Sequence, residues 1–193
     1  RRREAKDRCR QVFICSTVAQ LISQVDDLLP LDFRQWEDVT YIEPFIGGGA
    51  MLFHLLSNYP NIKRAVINDI NTDLTTCYEI VRETPHALIT ALQSLQQEYD
   101  SLTSEKAREE LYYQMRARFN TKSLGKLDNT VLFFFLNRTC FNGLYRVNKK
   151  GGFNVPFGKY EGPAFFNEEV IYADSVLLQN VEIMKGDFEE TFN

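Results

Sequence analysis

The sequence predicts an α/β fold built on a doubly wound sheet, and three patterns predict it. Residues 40–44 read as a short buried strand that runs into the turn Gly47-Gly48-Gly49 and then into a helix over 50–56 (AMLFHLL). Residues 64–68 (RAVIN) read as a second short strand that ends at Asp69. Far along the chain, residues 181–184 read as a strand returning to the same sheet.

Taken in order, residues 1–10 carry six basic and two acidic residues and fit a helix start or an extended arm equally well. Residues 17–29 place Val18, Leu21, Ile22, Val25, Leu28 and Leu29 at helical spacing, and Pro30 ends the segment. After Asp69 come helical patterns over 73–82, 86–98 and 105–119, the last with Leu111, Met115 and Phe119 on one stripe. Asp128 reads as the N-cap of a very apolar helix over 130–139, and its Phe133-Phe134-Phe135 run reads as core. The character then changes. Gly143, Gly151, Gly152, Pro156, Gly158, Gly162 and Pro163 fall within 21 positions, which is loop or hairpin composition. Asn167 can cap a further helix over 168–178.

At 193 residues the chain has room for one sizeable domain, or one with an inserted lobe. Its 44% hydrophobic and 25% charged content is that of a globular protein in water. No apolar run approaches the roughly 20 residues of a membrane span. No signal core follows the basic start, so nothing suggests secretion and a cytoplasmic protein is expected. Cys9, Cys15, Cys77 and Cys140 are scattered and read as reduced thiols. His54 and His86 have no metal-type neighbours and read as structural, so no metal is expected. The net charge of −4 argues against nucleic acid, but its distribution does not. Arg138, Arg146, Lys149, Lys150 and Lys159 fall within 138–160, a stretch with no Asp or Glu. Attraction to phosphates is set by local charge within a screening length of about 10 Å.

A glycine run between strand and helix lets backbone approach a ligand, and the helix start adds a positive dipole. An acid at the end of the next strand, Asp69, can hold two ribose hydroxyls. The spacing is not GxGxxG, because position 52 is Leu. Glu43, at the end of the first strand, would repel a pyrophosphate but suits the sulfonium and ammonium of S-adenosylmethionine. The methyl donor is therefore favoured over NAD.

The segments EPFIGGGA (43–50) and NDIN (68–71) resemble the first two cofactor motifs of the Dam-like, D12-class adenine-N6 DNA methyltransferases. The resemblance resumes at Leu111-Tyr112-Tyr113 and RARFN (116–120). It is most specific in LNRTCFNGLYR (136–146) and GFNVPFGKY (152–160), and it covers roughly residues 40–190. It implies a Rossmann-like methyltransferase sheet, incomplete here, with an inserted, mainly helical DNA-recognition domain carrying a β-hairpin. The implied parts are 1–72 for the cofactor domain, 73–163 for the recognition domain with its hairpin near 141–160, and 164–193 for the return to the sheet. The cofactor would be S-adenosylmethionine, leaving S-adenosylhomocysteine, and the partner double-stranded DNA.

The resemblance assigns Glu43, Pro44, Phe45, Gly47, Gly49, Asp69, Ile70, Asp187 and Phe188 to the cofactor. It assigns Asn137, Arg138, Phe141, Asn142, Leu144, Arg146, Asn148, Lys149, Lys150, Asn154, Pro156, Lys159 and Tyr160 to DNA. Arg146 suits a bidentate contact to guanine, and Asn142 suits an adenine or a backbone oxygen. Lys149, Lys150 and Lys159 suit phosphates. Phe141 suits a wedge in a stack opened by base flipping, where its residue type alone would suggest core. Asn154 and Tyr160 fit turn stabilisation as well as DNA contact.

Two departures from the family pattern stand out. A Lys-Trp-x-Gly-Gly-Lys-like motif is absent from residues 10–22, though the AQLISQVDDLLP continuation is family-like. The catalytic Asp-Pro-Pro-Tyr, expected shortly after Gly186-Asp187-Phe188, does not occur, so no catalytic residue is assigned. That tetrapeptide would accept the adenine amine N–H bonds and aim its lone pair at the methyl group. The expectation is therefore an adenine-N6 methyltransferase by family, with little or no methyl transfer by these residues alone and self-association through uncovered sheet. The alternatives are a catalytically inactive DNA-binding relic and another nucleotide-binding α/β protein.

Overall fold

The computed structural model describes Ile22 and residues 24–192, so the basic residues 1–10, Cys9 and Cys15 lie outside the described residues. The chain forms two compact units. Among the described residues, one contains those up to Glu83 and from Glu169 onward, and the other runs from Thr84 to Glu168.

The first unit is built on a parallel sheet of three strands in the order β1-β2-β3, with β1 Val39–Glu43, β2 Ile62–Asp69 and β3 Val181–Lys185. Glu43 pairs with Ile67, and Asp69 pairs with Lys185. The central strand carries the consecutive buried run Ala65, Val66, Ile67 and Asn68, as a parallel strand covered on both faces requires. Helix α1 (Ala50–Asn58) buries Leu52, Phe53 and Leu55, and α2 (Thr72–Glu83) buries Leu74, Cys77, Tyr78, Ile80 and Val81. In the 17–29 segment the described helix is the single turn Val25–Leu28. It packs beside Phe33, Leu55, Tyr59 and Ile62. His54 is structural, with Nε2 at 2.9 Å from the Asp26 carboxylate. On β1, Ile42 is 41% exposed.

The second unit is a helical body with a long loop. Its helices are α3 (Pro85–Ser101), α4 (Glu105–Asn120) and α5 (Lys126–Thr139). Pro85 opens α3, where its missing N–H costs nothing, and the Ser104 hydroxyl caps α4 by accepting the Ala107 N–H at 3.1 Å. The expected N-cap at Asp128 is corrected: α5 starts at Lys126 behind Gly125, and the Asn129 N–H already donates to the Gly125 carbonyl. Asp128 lies in the first turn, where a carboxylate still complements the helix dipole. Phe133, Phe134 and Phe135 are all buried. Tyr99, Phe135 and Phe165 meet edge to face at 5.0–5.9 Å, and Tyr112 lies 5.5 Å from Phe157.

The segment near 141–160, where a hairpin is expected, is irregular. Its arms meet in two isolated antiparallel bridges, Cys140–Phe157 and Val147–Phe153, and no extended strand forms. Between the Cys140–Phe157 pair and the Arg146–Asn154 pair, residues 141–145 stand opposite only 155–156. Three surplus residues on the first arm push the FNGLY segment outward as a bulge. Asn142 (φ 54°) and Gly143 (φ 60°) turn the chain through the left-handed region there. The second arm is anchored to the helices. Asn120 pairs with both the N–H and the carbonyl of Phe153 at 2.8 and 2.9 Å, while Tyr112 and Arg116 donate to the Val155 carbonyl. From α5 the chain continues through this loop to α6 (Glu168–Leu177), which returns it to the first unit.

Candidate functional site

The C-terminal ends of the three strands bring Pro44, Asp69 and Gly186 together. Asp69 is the organiser the sequence pointed to. Its Oδ2 accepts the Gly47 N–H at 3.1 Å and its Oδ1 accepts the Asn71 N–H at 2.9 Å. Each oxygen keeps a second lone pair for a ligand hydroxyl.

The glycines have different tasks. Gly47 (φ +48°) would put a Cβ into open space, so its turn faces outward rather than into the core. Gly49 (φ +70°) would put a Cβ 2.5 Å from the Tyr78 hydroxyl, so it is required for packing. Tyr78 is fully buried and donates its O–H to the Gly47 carbonyl at 2.9 Å, holding the loop from beneath. Phe45 and Phe188 stand at this edge with ring centroids 5.4 Å apart, and Phe45 and Ile70 are 71% and 81% exposed. Exposed apolar side chains beside a glycine turn suit a flat heteroaromatic ring. Asp187 is exposed and spends Oδ1 on the Glu189 N–H at 3.0 Å.

Glu43 is half-buried rather than open to solvent. Burial pushes its carboxyl up to about 7, against the opposing hydrogen bonds from the Tyr41 hydroxyl and the Leu52 N–H. A cationic ligand at the strand end would favour its ionised form. Asp174, in α6, is buried at 3% exposure, and burial pushes its carboxyl to about 7 as well. Its Oδ2 has no hydrogen-bond partner.

In the second unit the bulge displays Phe141 at 50% and Leu144 at 47% exposure, beside exposed Asn142, Arg146, Lys149 and Lys150. Phe141 is therefore a surface aromatic and not core. Asn137 and Arg138 are half-buried in the last turn of α5, and burial pushes the Arg138 guanidinium pKa down. Several residues assigned to DNA have internal partners. Asn148 Oδ1 accepts the Lys150 and Gly152 N–H groups and shapes the tip. The Tyr160 hydroxyl accepts the Asn142 N–H at 2.9 Å, and the Pro156 carbonyl accepts that of Phe141. Lys159 pairs with Glu105 at 2.8 Å. That pair is exposed, so it holds Lys159 only weakly and leaves it exchangeable for phosphate.

The family model for the D12 class N6 adenine-specific DNA methyltransferases matches residues 19–193. The chain belongs to this family. It is 47% identical over 172 residues to the type II methyltransferase M.MjaIII of Methanocaldococcus jannaschii, covering 88% of this chain and 59% of that protein. It is 35% identical over 176 residues to the type II methyltransferase M1.LlaDCHI of Lactococcus lactis subsp. cremoris, covering 89% and 56%. It is 34% identical over 152 residues to the DNA adenine methylase of Vibrio cholerae, covering 78% and 50%. The chain thus spans about half the length of these curated relatives. The D12-class resemblance read from the motifs is borne out, and the fold is mixed α/β with a parallel sheet. Among the described residues no group of three metal-type side chains gathers, and no helix is long and apolar enough to cross a membrane.

One residue of this strand-end cluster was quoted only within NDIN and given no role in the sequence. Asn68, 1% exposed, donates from Nδ2 to the carbonyls of Pro44 at 3.2 Å and Gly186 at 3.1 Å, and its own carbonyl accepts the Ile46 N–H. It ties the glycine loop to the loop after β3. An Asn at a strand end reads locally as a turn residue, so its place in NDIN did not reveal that it bridges two loops. Asn68→Leu is expected to weaken S-adenosylmethionine binding about tenfold or more by releasing both loops, against a stability loss of about 1–3 kcal/mol. Calorimetry beside urea unfolding checks it, and unchanged affinity would refute it.

Proposed function

We propose that this chain carries the S-adenosylmethionine pocket and the DNA-recognition lobe of a site-specific adenine-N6 DNA methyltransferase. The observation that carries the reading is the glycine loop tied through Gly47 to Asp69, with exposed Phe45, Ile70 and Phe188 beside it. In this reading Asp69 holds the ribose hydroxyls, the exposed apolar side chains flank the adenine, and Glu43 balances the cationic methionine end. When bound, S-adenosylmethionine supplies an electrophilic methyl group. The chain's own residues place it and exclude water from its apolar side. The 84–168 unit is the DNA-binding part, with Phe141, Asn142, Leu144 and Arg146 on the bulge toward base edges and Lys149, Lys150 and Lys159 toward phosphates. The named relatives, type II methyltransferases and DNA adenine methylases, support the same assignment. The exposed Ile42 side of β1 offers a surface for self-association, and a cytoplasmic location follows from a DNA substrate.

Titration calorimetry with S-adenosylmethionine tests the first half. Wild-type chain is expected to bind, Asp69→Ala to lose at least about tenfold in affinity, and NAD not to compete; binding of NAD in place of the methyl donor would overturn the reading. Fluorescence anisotropy with short duplexes tests the second half. Affinity is expected to fall steeply with salt, and Arg146→Ala to relax sequence preference.

A further inference from the structure

Glu43 does not stand alone at the end of β1. Residues 41 and 43 share one face of the strand, and the Tyr41 hydroxyl donates to Glu43 Oε2 at 2.8 Å. The Tyr41 ring packs against the cluster of Phe33, Leu55, Tyr59 and Ile62, so the hydroxyl is delivered from a fixed base. Burial, then the charge and the hydrogen bond of Glu43, push the Tyr41 hydroxyl far above its usual pKa, so it is a donor throughout the neutral range. The second hold on Glu43 is the Leu52 N–H in the first turn of α1. Gly49 is the N-cap of that helix and has no side chain to offer it, so Glu43 caps the helix from the preceding strand. A carboxylate has about four acceptor positions, and two of them stay open here. Among the described residues no Lys or Arg charge bears on Glu43, so these two hydrogen bonds are what opposes the effect of burial. The titratable neighbour from α2 is Tyr78, which burial first and then the Glu43 charge keep neutral. Asp174 of α6 and Asp69 at the end of β2 act on the same Tyr78.

We infer that Tyr41 is a positioning residue for the methyl donor that acts through Glu43, aiming the carboxylate and stabilising its charge for the cationic part of the ligand. This rests on the proposed S-adenosylmethionine pocket and assigns to it a residue that itself touches no ligand. Without the hydroxyl, the Glu43 carboxyl keeps the burial that holds it near 7 and loses one of the two bonds that oppose it. It then titrates higher and is less ionised in the neutral range.

The test is Tyr41→Phe in the full chain, which keeps the ring and removes only the hydroxyl, with thermal midpoints recorded throughout. Carbon-13 NMR of glutamate-labelled protein follows the Glu43 carboxyl, assigned by its loss in Glu43→Gln. The substitution is expected to move that titration upward by about one pH unit. Calorimetry with S-adenosylmethionine is run at pH 6.5 and pH 8.5, and the ratio of wild-type to variant affinity cancels the ligand's own titration. Tyr41→Phe is expected to weaken binding about fivefold or more at pH 6.5 and less than about twofold at pH 8.5, where the carboxyl is ionised in both proteins. In a Glu43→Gln background Tyr41→Phe has no effect that changes with pH. Equal weakening at both pH values with an unmoved Glu43 titration would make Tyr41 a packing residue and overturn the inference. Unchanged affinity at pH 6.5 would also overturn it while leaving the pocket standing. A wild-type chain with no affinity for S-adenosylmethionine at either pH would sink the pocket reading itself, and this inference with it.

Discussion

Asp174→Asn is expected to stabilise the protein at pH 8 and to leave its stability unchanged at pH 4. The carboxyl titrates near 7 in the folded chain because burial disfavours its charge, against 3.8 for the unreacted group. The folded state therefore holds an extra proton between those values, so stability falls as pH rises through the window, and the full penalty stands above pH 7. The shift corresponds to at most about 4 kcal/mol, and a gain on the order of 2–4 kcal/mol at pH 8 is expected from the amide. Glu43 moves the same way, from 4.5 to about 7. Wild type should thus gain stability from these two groups when acidified from pH 8 toward pH 5. Urea unfolding of wild type and variant at several pH values checks this. An equal difference between them at pH 4 and pH 8 would show that packing, not charge, sets the cost of Asp174.

Gly49→Ala should cost on the order of 3 kcal/mol and abolish cofactor binding. A side chain at φ +70° is strained by about 1–2 kcal/mol. The added Cβ also meets the Tyr78 hydroxyl at 2.5 Å and the Phe53 ring at 3.0 Å, so the rings must move. Moving Tyr78 breaks its bond to the Gly47 carbonyl and releases the loop whose N–H is held by Asp69. Gly47→Ala separates the two effects. It carries the strain without the clash, so it should cost about 1–2 kcal/mol yet still block ligand approach with its methyl group. Thermal unfolding and calorimetry on the pair decide the matter. Equal destabilisation by both substitutions would remove the packing role given to Gly49.

The strands and the glycine loop were legible because their signals are local. A buried apolar run such as 65–67, a turn that needs glycine and an acid after the next strand all lie within thirty residues. The helices were legible for the same reason, and Asp128 misled because a carboxylate suits the first turn as well as the cap. What escaped were pairings between distant residues. Asn68 with Gly186, Lys159 with Glu105 and Asn120 with Phe153 join positions 33 to 118 residues apart, and no periodicity announces them. The hairpin was legible as composition but not as register. A glycine-rich stretch does not reveal that one arm is three residues longer than the stretch facing it.

That surplus separates tolerance from constraint along the loop. The 141–145 segment is fastened through main-chain bridges at its two ends and by hydrogen bonds to its own backbone, such as that from Asn142 to Tyr160. Tyr145 packs its ring on Phe133 and Phe153 at 5.5 and 5.7 Å, but Phe141 and Leu144 stand about half exposed, whereas Phe153, Val155 and Phe157 on the facing arm are buried, with the first two held by α4. Residue identity at 141, 142 and 144 can thus change without unsettling the scaffold. Under the proposed function the loop is a replaceable reading head, and grafting the corresponding segment of a relative with a different target is expected to alter sequence preference.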